Sequence, residues 1–155
     1  MRLTISLILA FLVVVGAALA DEVQQDRKPQ GMSLRLELFV SSMQKSIDFY
    51  THVLGFEQVR GEPDYVPVRS GSVLVALGPA AGLPKKHHFN PEVQNSRRGL
   101  GVEIVLEVSD VKSFFEKVKA TGYKGILSPL RKQSWGATDF RIADPDGYYL
   151  RITSR

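Results

Sequence analysis

Cysteine is absent from the 155-residue chain, which excludes a disulfide framework, a thiolate nucleophile and a lipid attached through sulfur. Long basic runs are also missing: Lys85-Lys86 and Arg97-Arg98 are as far as they go. The net charge of +4 is therefore not gathered into the stripe a nucleic-acid binder uses, and nucleic acid is not an expected partner. With 44% hydrophobic and 23% charged residues, the composition excludes a collagen-like or disordered chain. The length fits one domain of ordinary size. What the chain does have is an uneven distribution of its apolar residues.

The first 20 residues take a disproportionate share. Arg2 precedes a hydrophobic run from Ile5 to Val15, and Gly16-Ala17-Ala18-Leu19-Ala20 closes it with an Ala-x-Ala pattern. This is the layout of a secretory signal peptide over residues 1–20, with a secreted or periplasmic destination. The alternative is an uncleaved anchor, because Leu3 to Ala20 carries no charge and is just long enough to span a bilayer. Once cleaved, the chain has no expected membrane contact. Residues 21–33, rich in Gln, Asp, Lys and Pro, read as a solvated lead-in. The folded domain is expected over 34–155.

From Leu34 a period of two appears. Leu34, Leu36, Leu38 and Val40 alternate with Arg35, Glu37 and Phe39, the pattern of a half-buried strand. Ser41 or Ser42 can cap a helix that aligns Met43, Ile47, Tyr50 and Leu54 and ends at Gly55. Extended segments follow near Val59–Arg60, Tyr65–Arg69 and Ser72–Leu77. The second half repeats the plan. Val102, Ile104, Leu106 and Val108 alternate with Glu103, Val105 and Glu107, and Ser109 or Asp110 caps a helix carrying Val111, Phe114, Phe115 and Val118 up to Gly122. Extended segments are expected around Tyr123–Leu127, Ala137–Ala143 and Tyr148–Thr153. The prediction is an α+β fold of two β-α-β-β-β repeats, halves 34–78 and 102–153, joined by a long loop 79–101. The sheets are expected to curve around a cleft, with helices on the outer face. Arg35, Glu37, Phe39, Glu103, Val105 and Glu107 would face the cleft.

Four stretches carry a resemblance to a known family: Lys45 to Phe56, Gly101 to Val108, Ser134-Trp135-Gly136, and Asp144-Pro145-Asp146-Gly147-Tyr148. In this order they resemble the vicinal oxygen chelate superfamily, which groups glyoxalase I, bleomycin-resistance proteins and extradiol dioxygenases. The likeness runs from Leu34 to Thr153. It implies paired β-α-β-β-β units around a U-shaped cleft, and in the family's enzymes a divalent metal held there by His and Glu side chains. Carried over onto this sequence, the four metal-ligand positions fall on Arg35, Ala76, Glu103 and Arg151.

Of these four, Glu103 alone offers a metal donor, and arginine cannot deprotonate to become one. No metal or other cofactor is therefore expected. An ion cluster in which Arg35 and Arg151 flank Glu103, with Glu37 and Glu107 nearby, would take the metal's place. Such a cluster either holds the repeats in register or leaves an arginine to bind a ligand's carboxylate or phosphate. Trp135 and Tyr149 are candidates for an aromatic wall, or for cover over the core edge. His87 and His88, next to Lys85-Lys86, read as a solvated loop, and His52 as an exposed helical residue. Asp144 and Asp146 read as turn formers.

The expected function is binding of a small organic molecule in the cleft, with a homodimer as one way to assemble it. One alternative is a lyase, isomerase or dioxygenase whose metal is absent or displaced onto Glu37, Glu103 and Glu107. The other is a protein-interaction domain with a closed cleft.

Overall fold

The structure is a computed structural model that describes residues 32–90 and 96–154. The signal-peptide reading for 1–20 and most of the proposed lead-in lie outside the described residues. Leu34–Arg155 is one compact unit.

Each repeat builds its own four-stranded mixed sheet. The first contains β1 (Leu36–Val40), β2 (Glu57–Gln58), β3 (Val66–Ser70) and β4 (Val73–Pro79), in the order β1-β4-β3-β2. The second contains β5 (Ile104–Val108), β6 (Ile126–Lys132), β7 (Thr138–Ala143) and β8 (Tyr149–Ser154), in the order β5-β8-β7-β6. In both, the first strand lies parallel to the last, and the remaining neighbours are antiparallel. The shared strand order confirms the internal repeat. The two four-stranded mixed sheets are the paired β-α-β-β-β units expected from the sequence, each repeat keeping its own sheet.

The alternation puts Leu38 and Val40 of β1, and Ile104 and Leu106 of β5, into the core, while Arg35, Glu37, Glu103 and Glu107 stay on the opposite faces. Three expectations shift. Leu34 and Val102 precede their strands and are exposed, so neither joins the core. The segment expected at Val59–Arg60 is paired instead at Glu57–Gln58. Strand β6 starts later than expected and carries register irregularities on both sides of Ser128. Pro129 falls within that irregular stretch, and it has no N–H to give a regular ladder.

Helix α1 (Met43–Asp48) is capped by Ser42, whose hydroxyl accepts from the Lys45 N–H. It does not continue with regular spacing. A π-helical turn, Phe49–Val53, follows, closed by the Leu54 N–H donating to the Phe49 carbonyl at 3.1 Å. The wider turn lets two consecutive aromatics, Phe49 and Tyr50, both be buried. Strict 3.6-residue spacing selects one of the pair, which is why Phe49 is missing from the face read off the sequence. Helix α2 (Val111–Ala120) follows its pattern: Asp110 caps it through the Lys112 and Ser113 N–H groups, and Val111, Phe115 and Val118 are buried.

Both helices end at a glycine in the left-handed region, Gly55 at φ +74° and Gly122 at φ +72°. Space is open around Gly55, so its replacement by alanine tests backbone strain alone. Gly55→Ala is expected to lower stability by about 1 kcal/mol in urea denaturation. An unchanged midpoint would show that the turn tolerates a Cβ.

One core joins the repeats. Leu38, Val40, Val75 and Leu77 from the first sheet belong to the same cluster as Leu106, Phe140, Ile142 and Ile152 from the second. Helix α1 lies against β4, and α2 against β7 and β8. The hydrogen bonds between the halves gather on the turn joining β7 to β8. Asp146 accepts from the Ser41 N–H (2.8 Å) and the Ser46 hydroxyl (3.3 Å), and Tyr148 donates its hydroxyl to the Phe39 carbonyl (3.1 Å). Asp144 is 4% exposed; it accepts from the N–H groups of Asp146 and Tyr148 and from the Tyr50 hydroxyl. Both aspartates form the turn, as read from sequence, and both also anchor the first repeat's helix.

Candidate functional site

Register decides which side chains share the polar face of each sheet. In the first sheet, Glu37, Ala76 and Pro67 lie in one cross-strand row. In the second, the equivalent row is Val105, Arg151 and Arg141. Ala76 and Arg151 thus hold the same place in the two repeats.

The second face holds a charged network. Arg141 makes an ion pair with Asp139 (2.6 Å), donates through Nε to the Tyr149 hydroxyl (3.0 Å) and lies 3.6 Å from Glu103. Arg151 approaches Glu103 from its other side at 3.8 Å. Gln133 donates to Asp139 at 2.6 Å. Burial alone would raise the Asp139 pKa, but the hydrogen bonds from Arg141 and Gln133 outweigh it and hold the carboxyl below its ordinary range. Arg151 Nε is buried with no hydrogen-bond partner among the described residues.

The first face is separate. Arg35 pairs with Glu37 at 2.8 Å, and Tyr65 donates its hydroxyl to the same Glu37 oxygen at 3.0 Å. The Arg35 guanidinium also lies over the Tyr65 ring, 5.9 Å from its centre. Within the chain, then, Arg151 flanks Glu103 as expected, but Arg141 stands on the other side, where Arg35 was expected. The physical reason is proximity: Glu37 shares β1's polar side with Arg35, whereas Glu103 lies on the other sheet.

Arg141 and Asp139 are the site residues the sequence reading missed. Their signal was present, since Asp139, Arg141 and Ala143 alternate with the buried Phe140 and Ile142. Glu107 lies on the polar side of β5 and is exposed. Trp135 is 60% exposed in the turn between β6 and β7, so it covers no core edge. The loop after β4 is more built than a solvated connector. It opens with a 3₁₀ turn, Ala80–Gly82, and Asn90 donates to the carbonyls of Leu83 and Pro84. His87 packs on Phe39 at 5.5 Å between ring centres, and Phe89 on the same ring at 5.8 Å.

A hollow of about 160 Å³ opens beside Phe39, lined by Glu37, Asp64, Tyr65, Ala76 and Gly78 among others. Its floor is the pair of small residues on β4, where Arg151 and Thr153 stand in the second sheet.

A metal does not fit these residues. Arg35, Ala76 and Arg151 offer no donor, and Glu103 is engaged by two guanidiniums. Among the described residues, no three His, Cys, Asp or Glu side chains come close enough to hold an ion, the displaced set Glu37, Glu103 and Glu107 included.

Known proteins share both the sequence pattern and the fold. Two lactoylglutathione lyases illustrate the curated relatives. One, from Neisseria meningitidis serogroup B, is 29% identical over 126 residues, covering 79% of this chain and 89% of that protein. The other, GLX1 of Arabidopsis thaliana, is 23% identical over 141 residues, and the chain spans half of that protein's length. Among solved structures, a glyoxalase/bleomycin resistance protein/dioxygenase from Nocardioides aligns with a TM-score of 0.65 at 20% identity, covering 90% of this chain and 92% of that one. The bleomycin resistance determinant encoded on transposon Tn5 aligns with a TM-score of 0.60 at 21% identity, covering 81% and 98%. At such identities the structural likeness speaks for the fold alone. Residues 33–152 match the family model described as the Glyoxalase/Bleomycin resistance protein/Dioxygenase superfamily, and the chain belongs to that superfamily.

Proposed function

We propose that this chain is an exported member of the superfamily that binds a small organic molecule on its polar sheet faces without a catalytic metal. The observation that carries the reading is the donor set: guanidiniums and a methyl group occupy three of the four positions where the family's enzymes hold metal ligands. Export rests on the N-terminal sequence, which reads as a signal peptide. A homodimer completes the cleft. Within one chain the core consumes the apolar faces of both sheets, and the clusters around Glu37 and Glu103 are not joined by any ion pair among the described residues. A second copy would set the first face of one chain opposite the second face of the other.

Native mass spectrometry of untagged protein tests all of this together. The expected result is a dimer carrying no stoichiometric metal. Stoichiometric Fe, Mn, Ni or Zn would overturn the metal-free reading, and a monomer at all concentrations would overturn the shared cleft. The names of the curated relatives favour a second reading, a lyase. Formation of S-lactoylglutathione from the hemithioacetal of methylglyoxal and glutathione by the purified protein, with and without added Zn²⁺ or Ni²⁺, would establish it.

A further inference from the structure

We infer that the hollow beside Phe39 in the first repeat is a subsite for the positively charged head of a small organic amine. The inference rests on the reading that this face takes a small ligand, and it names the ligand's chemistry.

Four features converge. The first is space: about 160 Å³ is comparable with a cavity that holds a benzene-sized molecule. Gly78 creates it, because a Cβ there would project toward Phe39 and the Asp64 carbonyl at 3.8 and 3.9 Å, in ordinary contact and without clash. The second is the aromatic walls. Phe39 is held in place by the His87 and Phe89 rings and is the open aromatic wall, while Tyr65 is held by its bond to Glu37 and already carries the Arg35 guanidinium over its ring. Ring faces attract cations through their quadrupole.

The third feature is the polar lining, whose side-chain and carbonyl oxygens at Glu37, Asp64 and Tyr65 are placed as acceptors. Tyr65 spends its proton on Glu37, and both contacts to Glu37 fall on one oxygen, so the other is available. The Asp64 carbonyl faces the same space. A ligand that brings N–H groups or positive charge is matched by such a lining, whereas a carboxylate or phosphate is not. The fourth is charge. The two charged residues of the lining, Glu37 and Asp64, are both acidic, and the ion pair made there is the one from Arg35 to Glu37. Such a lining favours a cation over an anion.

The equivalent place in the second repeat offers no such room, since Arg151 takes the position of Ala76 and Thr153 that of Gly78. The two halves of the cleft therefore differ in chemistry. One presents guanidiniums, the other an aromatic, acceptor-lined hollow.

The test uses three probes of nearly one shape: choline, its neutral isostere 3,3-dimethylbutan-1-ol, and the anion 3,3-dimethylbutanoate. Each is titrated into the purified protein and followed by amide shifts at Phe39, Tyr65 and Gly78. Choline is expected to saturate in the millimolar range and to bind at least tenfold tighter than the alcohol, with the anion weakest. Gly78→Val fills the hollow and should abolish the shifts, while Glu37→Gln, which leaves the space intact, should weaken choline at least fivefold and the alcohol little. Melting temperatures of both variants show whether they fold. Alcohol binding as tightly as choline would overturn the charge assignment while leaving a ligand site on this face. Choline binding that survives in folded Gly78→Val would overturn the location. Silence from all three probes would overturn the subsite, whatever native mass spectrometry reports of the cleft.

Discussion

Replacing Asp139 with alanine is expected to cost roughly 3–5 kcal/mol of stability, among the largest losses available from one side chain in this chain. Asp139 is 1% exposed and takes the 2.6 Å ion pair from Arg141 together with the Gln133 amide. Its loss strands a guanidinium whose side chain is only 12% exposed and whose remaining carboxylate, Glu103, stands 3.6 Å away and is shared with Arg151. The damage comes from the uncompensated charge rather than from the missing pair. The double variant Asp139→Ala/Arg141→Met, which removes the charge as well, should therefore recover most of the loss. Urea denaturation of the two variants and the parent measures both quantities. A single-variant loss below about 1 kcal/mol, or a double variant no better than the single, would show that solvent reaches Arg141.

The second large effect is a pH dependence centred on Asp144. Burial pushes its carboxyl up to about 6, against hydrogen bonds from the Tyr148 and Asp146 N–H groups that pull it down. Because the folded state binds the proton more tightly than the unfolded chain does, stability falls as pH rises. The contribution is fully present below the unfolded value near 4 and is lost through about 6, where the accumulated cost reaches roughly 3 kcal/mol. An asparagine at this position would keep the acceptor for both N–H groups and could donate to the Tyr50 oxygen, without a charge to bury. Asp144→Asn should therefore gain on the parent by roughly 3 kcal/mol between about pH 4 and pH 7.5. The comparison isolates this group, because Asp110 and Asp139, whose pKa values are lowered, act with opposite sign and equally in both proteins. Stability curves that run parallel over that range would mean that Asp144 titrates like a solvated carboxylate.

Much of this architecture is legible in the sequence because it is local. The period of two in β1 and β5, the Asp110 cap and the glycines closing both helices each depend on residues a few positions apart. What the sequence hides depends on register between distant strands. Arg141 is as polar as Arg35 and sits in as clear an alternation, yet nothing local says that β7 sets it beside Arg151 and within reach of Glu103. The π turn is hidden for a related reason: burying both Phe49 and Tyr50 repays the wider turn only once the second repeat is there, with Tyr123 ringed against Phe49 at 4.9 Å and Asp144 against the Tyr50 hydroxyl. The hollow is subtler still. It is made by what β4 lacks, and a small residue in a strand carries no sign of the space above it.

The turn joining β7 to β8 also has a consequence in time. Helix α1 has a local cap in Ser42, but the Ser41 N–H beside it and its Ser46 hydroxyl donate to Asp146 across separations of 105 and 100 residues, whereas helix α2 is capped by Asp110 immediately before it and by Ser154 of its own repeat. A chain made from its N-terminus onward thus completes the earlier repeat last. The Asp146 contacts of helix α1 must wait for the final strand pair, while both groups that cap helix α2 come from its own repeat. Contacts of such long range come at a high entropic cost until the intervening chain is ordered, so the bonds from Ser41 and Ser46 to Asp146 are expected to form after the second repeat has ordered.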